Sequence, residues 1–221
     1  MYRYYLLSMF ASCLLLLSVN GYAGDITGKI AIQSGMLDSP KPISPFARAR
    51  GEISHPEIAN GSGIVVYLEA DPHLSPNQPD QRPVMDQVNY TITPHVLPVC
   101  VGTTVKFPNS DQVYHNLFSL SSAKKFDLGR YPKGVYKEVT FDKPGEVRIY
   151  CDIHPSMSGV ILVVPNRYFT QASDEGTYSI ENVPAGTYTI TAWHEQLSEL
   201  ERTAVVPETG SVIVDFVYKN R

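Results

Sequence analysis

Proline and glycine cut this chain into short pieces, and within the pieces apolar residues recur at every second position. The 17 Pro and 15 Gly are poor tenants of helix interiors, where the first removes a hydrogen bond and the second costs backbone entropy. A period of two puts alternate side chains on one face of a sheet. Fourteen Tyr, with many Val and Thr, fit the same half-buried pleated surface. The expectation is an all-β protein built of stacked sheets. At 221 residues, 43% hydrophobic and 18% charged, the chain is globular in composition and long enough for one or two cores. A net charge of −4 excludes nucleic acid as a partner, because counterion release needs a basic surface.

The first 23 residues have the layout of a secretory signal. Arg3 precedes an apolar run from Tyr5 to Val19, and Gly21-Tyr22-Ala23 is a small-x-small cleavage site. The run is shorter than the roughly 20 residues a spanning helix needs, so no stable membrane span is expected after cleavage. A lipoprotein-like reading of Phe10-Ala11-Ser12-Cys13 competes, but Leu14 to Leu17 still follow that cysteine. Cleavage leaves 17 basic against 22 acidic groups and two cysteines, Cys100 and Cys151, in an exported, periplasmic protein.

Strands are expected at 25–32, 64–68, 96–101, 104–107, 115–120, 136–141, 147–151 and 160–164. Residues 34–60 read as a long excursion, and 71–83, with four prolines, as a linker. Near the C-terminus, Gly176-Thr177-Tyr178-Ser179-Ile180 and Gly186-Thr187-Tyr188-Thr189-Ile190 are near copies around a turn at 181–185, and 212–218 reads as a closing strand. This last unit has too few strands for a sandwich of its own, and 25–70 holds strands without partners.

One run carries chemistry. Cys151-Asp152-Ile153-His154-Pro155-Ser156-Met157 follows a strand in which alternation turns Val147, Ile149 and Cys151 inward and Arg148 outward. A tight loop returns His154 and Met157 towards the thiol. Thiolate, imidazole and thioether together suit copper far better than magnesium or calcium. His115, after the polar turn Asn109-Ser110-Asp111, offers a second imidazole. The competing reading is a disulfide between Cys100 and Cys151, which leaves the His154 and Met157 spacing without a reason. Alternation points Cys100 away from the face that Cys151 shares, exposed as a spectator.

With these residues in place, 84–165 resembles the cupredoxin family of blue copper proteins, which includes amicyanin and plastocyanin. Gly102-Thr103-Thr104-Val105-Lys106-Phe107, Asn109, His115-Asn116 and the short C-x2-H-P-x-M loop carry the likeness. It also resembles proteins labelled as methylamine-utilisation proteins. The resemblance implies a Greek-key β-sandwich with one type 1 copper ion. Cys151, His115 and His154 would form the trigonal plane, Met157 would be the axial ligand, and Asn116 would tie the two ligand loops together. Residues 166–221 resemble the carboxypeptidase-regulatory, transthyretin-like β-sandwich through Ala172–Ile180 and Val183–Tyr188. Residues 24–83 would supply its missing strands around a linker, so that the copper unit is an insertion within it.

The resemblance implies a one-electron carrier serving a periplasmic redox protein, a cytochrome or a dehydrogenase, and no enzyme, since the ligand positions are filled. A copper storage protein and a scaffold with a vestigial site are the alternatives. Three other features are weaker. His95 reads as a partly exposed strand residue. His55 and His73 sit in Pro-rich loops. His194-Glu195 begins a zinc-protease motif that Ser198 breaks. The basic segment around Lys124, Lys125, Arg130, Lys133 and Lys137 reads as a solvated face able to steer an acidic partner.

Overall fold

The computed structural model describes residues 23–33, 63–74 and 82–219. The signal region before Ala23, with Cys13, lies outside them, as do the whole 34–60 excursion with His55, residues 75–81 of the linker and the last two residues. Among the described residues no helix is long and apolar enough to cross a membrane, and every regular element is a strand.

In chain order these are β1 (Ala23–Ile32), β2 (Val65–Leu68), β3 (Asp86–Val88), β4 (Thr91–Thr93), β5 (Val96–Cys100) and β6 (Thr103–Pro108). Next come β7 (His115–Leu120), β8 (Lys125–Tyr131), β9 (Tyr136–Phe141), β10 (Gly145–Cys151) and β11 (Ser158–Val164). The last are β12 (Phe169–Gln171), β13 (Thr177–Pro184), β14 (Gly186–Trp193), β15 (Leu200–Val206), β16 (Ser211–Ile213) and β17 (Phe216–Tyr218). The expected strands are present to within a few residues. Beyond those expectations, β3, β4, β12 and β15 are further strands, β8 lies in the segment that reads as basic, and 212–218 is two strands.

The pairings form stacked layers. One sheet has the order β5-β11-β10-β7-β8, with β5 parallel to β11 and the other pairs antiparallel. The β3-β4 hairpin and the β6-β9 ribbon cover one face of it. Between them lies a core of Met85, Ile92, Val105, Phe107, Val139 and Phe141 against Leu117, Val147, Ile149, Cys151, Ile161 and Val163. A second sandwich joins both ends of the described chain. Here β1 pairs with β13, β16 and β17, while β2 pairs with β12 and β14.

The two sandwiches share a third core. Val96 and Cys100 of β5 and Val160, Leu162 and Val164 of β11 pack with Val65 and Tyr67 of β2, Phe169 of β12 and Trp193 of β14. This explains two runs that do not alternate. Val160-Ile161-Leu162-Val163-Val164 and Ile64-Val65-Val66-Tyr67-Leu68 are apolar throughout because each strand has a core on both faces.

It also corrects the reading of Cys100. Alternation did place it opposite the face of Cys151, but that other face meets the second sandwich instead of solvent. Cys100 is 1% exposed, with its Sγ 3.4 Å from Thr103 Oγ1. Cys100 and Cys151 are both buried and form no disulfide, so the disulfide reading does not hold.

Candidate metal centre

The ligand loop is positioned by the register of two strands. Cys151, the last residue of β10, lies opposite Leu117 of β7. That pairing brings the start of β7, where His115 stands, beside the turn that follows Cys151. The turn is closed by two backbone bonds: Met157 N donates to His154 O at 2.9 Å, and Cys151 N to Met157 O at 3.3 Å. His154 is thereby folded back over Cys151, and Met157 re-enters the core.

His115, Cys151 and His154 bring one donor atom each to within 4.8 Å of one another. Cys151 Sγ lies 3.9 Å from His115 Nδ1 and 3.8 Å from His154 Nδ1. The two Nδ1 atoms are 2.9 Å apart. A first-row ion with bonds of roughly 2.1 Å holds ligands of a trigonal plane about 3.6 Å apart. The sulfur–nitrogen distances fit that directly, and the nitrogen pair needs only a small spreading. Met157 is 1% exposed and packs in the same core as Cys151. Thiolate and imidazole donors in one buried place fit a soft transition metal and disfavour hard cations.

Exposure differs among the four. His115, Cys151 and Met157 are buried, whereas His154 is half-buried beside exposed Pro155 and Ser156. Burial, and then the neighbouring His115, hold the His154 imidazole below its ordinary range, so it favours the neutral form that binds metal.

Asn116 departs from the role implied by the resemblance. Its Nδ2 donates to Asp127 Oδ1 of β8 at 3.0 Å, across the sheet and away from the Cys151 loop. Its Oδ1 is buried without a protein partner. The tie between the ligand loops is instead the main-chain pairing of β7 with β10.

Two residues at the centre escaped the sequence reading. Asp111 Oδ2 accepts from His115 Nε2 at 2.8 Å. Its carboxylate also accepts from the backbone N–H groups of Asn89 and Tyr90, at 2.6 and 2.9 Å. Burial alone would raise this carboxyl, but the Tyr90 amide, His115 and the Asn89 amide together hold it below the ordinary range. The Tyr90 ring stands edge-on to His115 and His154, with centroids 6.0 and 5.0 Å away. A carboxylate four residues before a ligand histidine was a usable signal for Asp111. Tyr90 gave none.

The remaining histidines lie elsewhere. His95 precedes β5 and bonds Glu195 Oε1 at 2.9 Å and the Ser158 carbonyl at 3.1 Å. His194 is buried after β14, where no helix follows. His73 is exposed. In the basic segment, Lys124 pairs with Asp142 and Arg130 with Asp152, and Lys137 is bound to the Leu128 carbonyl.

A family model described as "Polysaccharide lyase family 4, domain II" matches residues 165–212. No curated protein sequence matches the chain. Among solved structures, the chain is similar to a Cu-containing nitrite reductase from Thermus scotoductus SA-01, at 27% identity and a TM-score of 0.38. That match covers 45% of this chain and 26% of the reductase, so the chain spans about a quarter of its length. A purple cupredoxin from Nitrosopumilus maritimus matches at 27% identity and a TM-score of 0.34, covering 37% of this chain and 98% of that one. A reduced amicyanin variant matches at 24% identity and 0.36, covering 44% and 97%. The all-β sandwich architecture rests on the strand topology described above.

Proposed function

We infer that this is an exported copper protein, and that it carries single electrons through a His115, Cys151, His154 and Met157 site. The observation carrying this is the convergence of Cys151 Sγ and two Nδ1 atoms at 3.8 and 3.9 Å, with Cys151 and His115 both buried. Copper supplies a one-electron couple when bound. Everything else is done by the chain.

The strands β7 and β10 hold the donors in place before any metal arrives, so little rearranges when charge changes. The core around Cys151 and Met157 keeps water from the thiol. His154, the half-buried donor, gives the shortest route to a partner's surface. Four donors leave no open position for a substrate, which argues for transfer over catalysis. The signal-like N-terminus supports the periplasm as the compartment, with a cytochrome or dehydrogenase as the class of partner. The flanking sandwich reads as a carboxypeptidase-regulatory-like carrier for the copper unit.

Voltammetry of the protein loaded with one equivalent of copper tests the carrier reading. A reversible one-electron wave is expected. Copper retained without a reversible wave would move the assignment to storage, and no copper uptake would leave a scaffold.

A further inference from the structure

We propose that Asp111 is the positioning residue of the metal centre, fixing the His115 tautomer and holding the Tyr90 ring against both ligand imidazoles. This rests on the copper reading above but makes a claim that the metal-free protein can test.

The geometry begins in the turn before β7. Asn109 pins it, donating from Nδ2 to the carbonyls of Val113 and Tyr131 at 2.9 and 3.0 Å and accepting from Asp111 N at 3.0 Å. The Asp111 carboxylate is thereby set beneath the β3-β4 hairpin and beside His115. A carboxylate offers acceptors and no donor, so the 2.8 Å contact with His115 Nε2 requires the hydrogen on that nitrogen. The other nitrogen, Nδ1, is then bare, and it is the one aimed at Cys151 Sγ and His154 Nδ1. A carboxylate behind an imidazole ligand also raises its basicity and favours the more charged metal.

The same carboxylate grips the hairpin cap. Asn89 and Tyr90 form the two-residue turn between β3 and β4, with φ of 54° and 59°. Such a turn favours Asn and Gly at its centre, and a tyrosine there is unusual. Both amides point at Asp111, at 2.6 and 2.9 Å. That grip sets the ring edge-on to both imidazoles. One side chain thus couples the orientation of a ligand to the placement of the aromatic that covers it.

The test is long-range nitrogen-15 NMR of the histidine rings in the metal-free protein, followed by copper titration and voltammetry of wild type, D111N and D111E. In wild type, His115 is expected with its hydrogen on Nε2. In D111N the Nδ1–H form gains population, Cu(II) affinity falls by about 10- to 100-fold, the midpoint potential rises, and Tyr90 amide exchange speeds up. D111E should recover part of each. A wild-type His115 carrying hydrogen on Nδ1 overturns the proposal without any variant. So does a folded D111N with unchanged tautomer, affinity and potential. A wild type that takes up no copper, yet shows the Nε2–H form lost in D111N, sinks the copper reading and leaves the tautomer assignment standing.

Discussion

Individual residues show how far spacing carries. The closeness of Cys151 and His154 was legible because a single short loop holds both, and the strand before it fixes which way the thiol points. Asp111 stands at a readable spacing, four residues before His115, but its hold on the Asn89–Tyr90 turn some twenty residues earlier was not legible. Cys100 shows the other limit: alternation tells which face a side chain takes, and not what covers that face. Met157 offers a prediction at this scale. Met157→Leu conserves volume, so its cost in stability should stay below about 1.5 kcal/mol by chemical denaturation. The midpoint potential should nevertheless rise, since an apolar side chain donates nothing to the oxidised metal. An unchanged potential would remove Met157 from the ligand set.

Among the elements, those with a clean apolar period were read to within a few residues, and those whose pattern is set by partners were not. The β8 edge strand carries Gly129 at φ 61° and a register shift against β7. Its charges hid its pleat. The expected single strand 212–218 is interrupted because Val214 N donates to Thr27 O at 2.8 Å and Asp215 takes Lys29 N at 2.8 Å. That close approach also explains Gly28 in β1: a Cβ there would stand 1.9 Å from Val214 O and 2.8 Å from Tyr178 Cε1. Gly28→Ala should therefore destabilise the second sandwich by at least about 1–3 kcal/mol, read as a lower denaturation midpoint. Wild-type stability in that variant would mean that β1 is not seated against Val214 as described.

At the scale of the whole molecule, the orphan strands at the N-terminus pointed to a sandwich shared between the chain's two ends, and β1 and β2 pair there. The packing of that sandwich on the one that holds Cys151 was not legible, because a doubly covered strand looks like any buried strand until its second neighbour is known. Trp193 is 3% exposed in this shared core, and Trp193→Ala should cost about 3–5 kcal/mol. The loss should appear in the unfolding of both sandwiches together.

The His95–Glu195 pair crosses the same junction. Its hydrogen bond to Glu195 raises the His95 imidazole above its ordinary value of 6.5. Burial opposes ionisation of Glu195, yet the His95 hydrogen bond leads the effects that hold it below its ordinary 4.5. The His95 contribution is complete below pH 6.5 and is lost as pH rises through the higher folded value. The Glu195 contribution is complete above pH 4.5 and is lost as pH falls through the lower one. The stability difference between wild type and His95→Gln should hence be largest between those two pH values and shrink towards pH 9. A difference that does not vary with pH would mean the pair is not charged.

A copper–thiolate bond at Cys151 would be visible in the absorption spectrum on adding one equivalent of Cu(II). An intense blue or green charge-transfer band in wild type, absent in Cys151→Ser, is the predicted result. A colourless wild-type complex, or a band that survives the substitution, would contradict it.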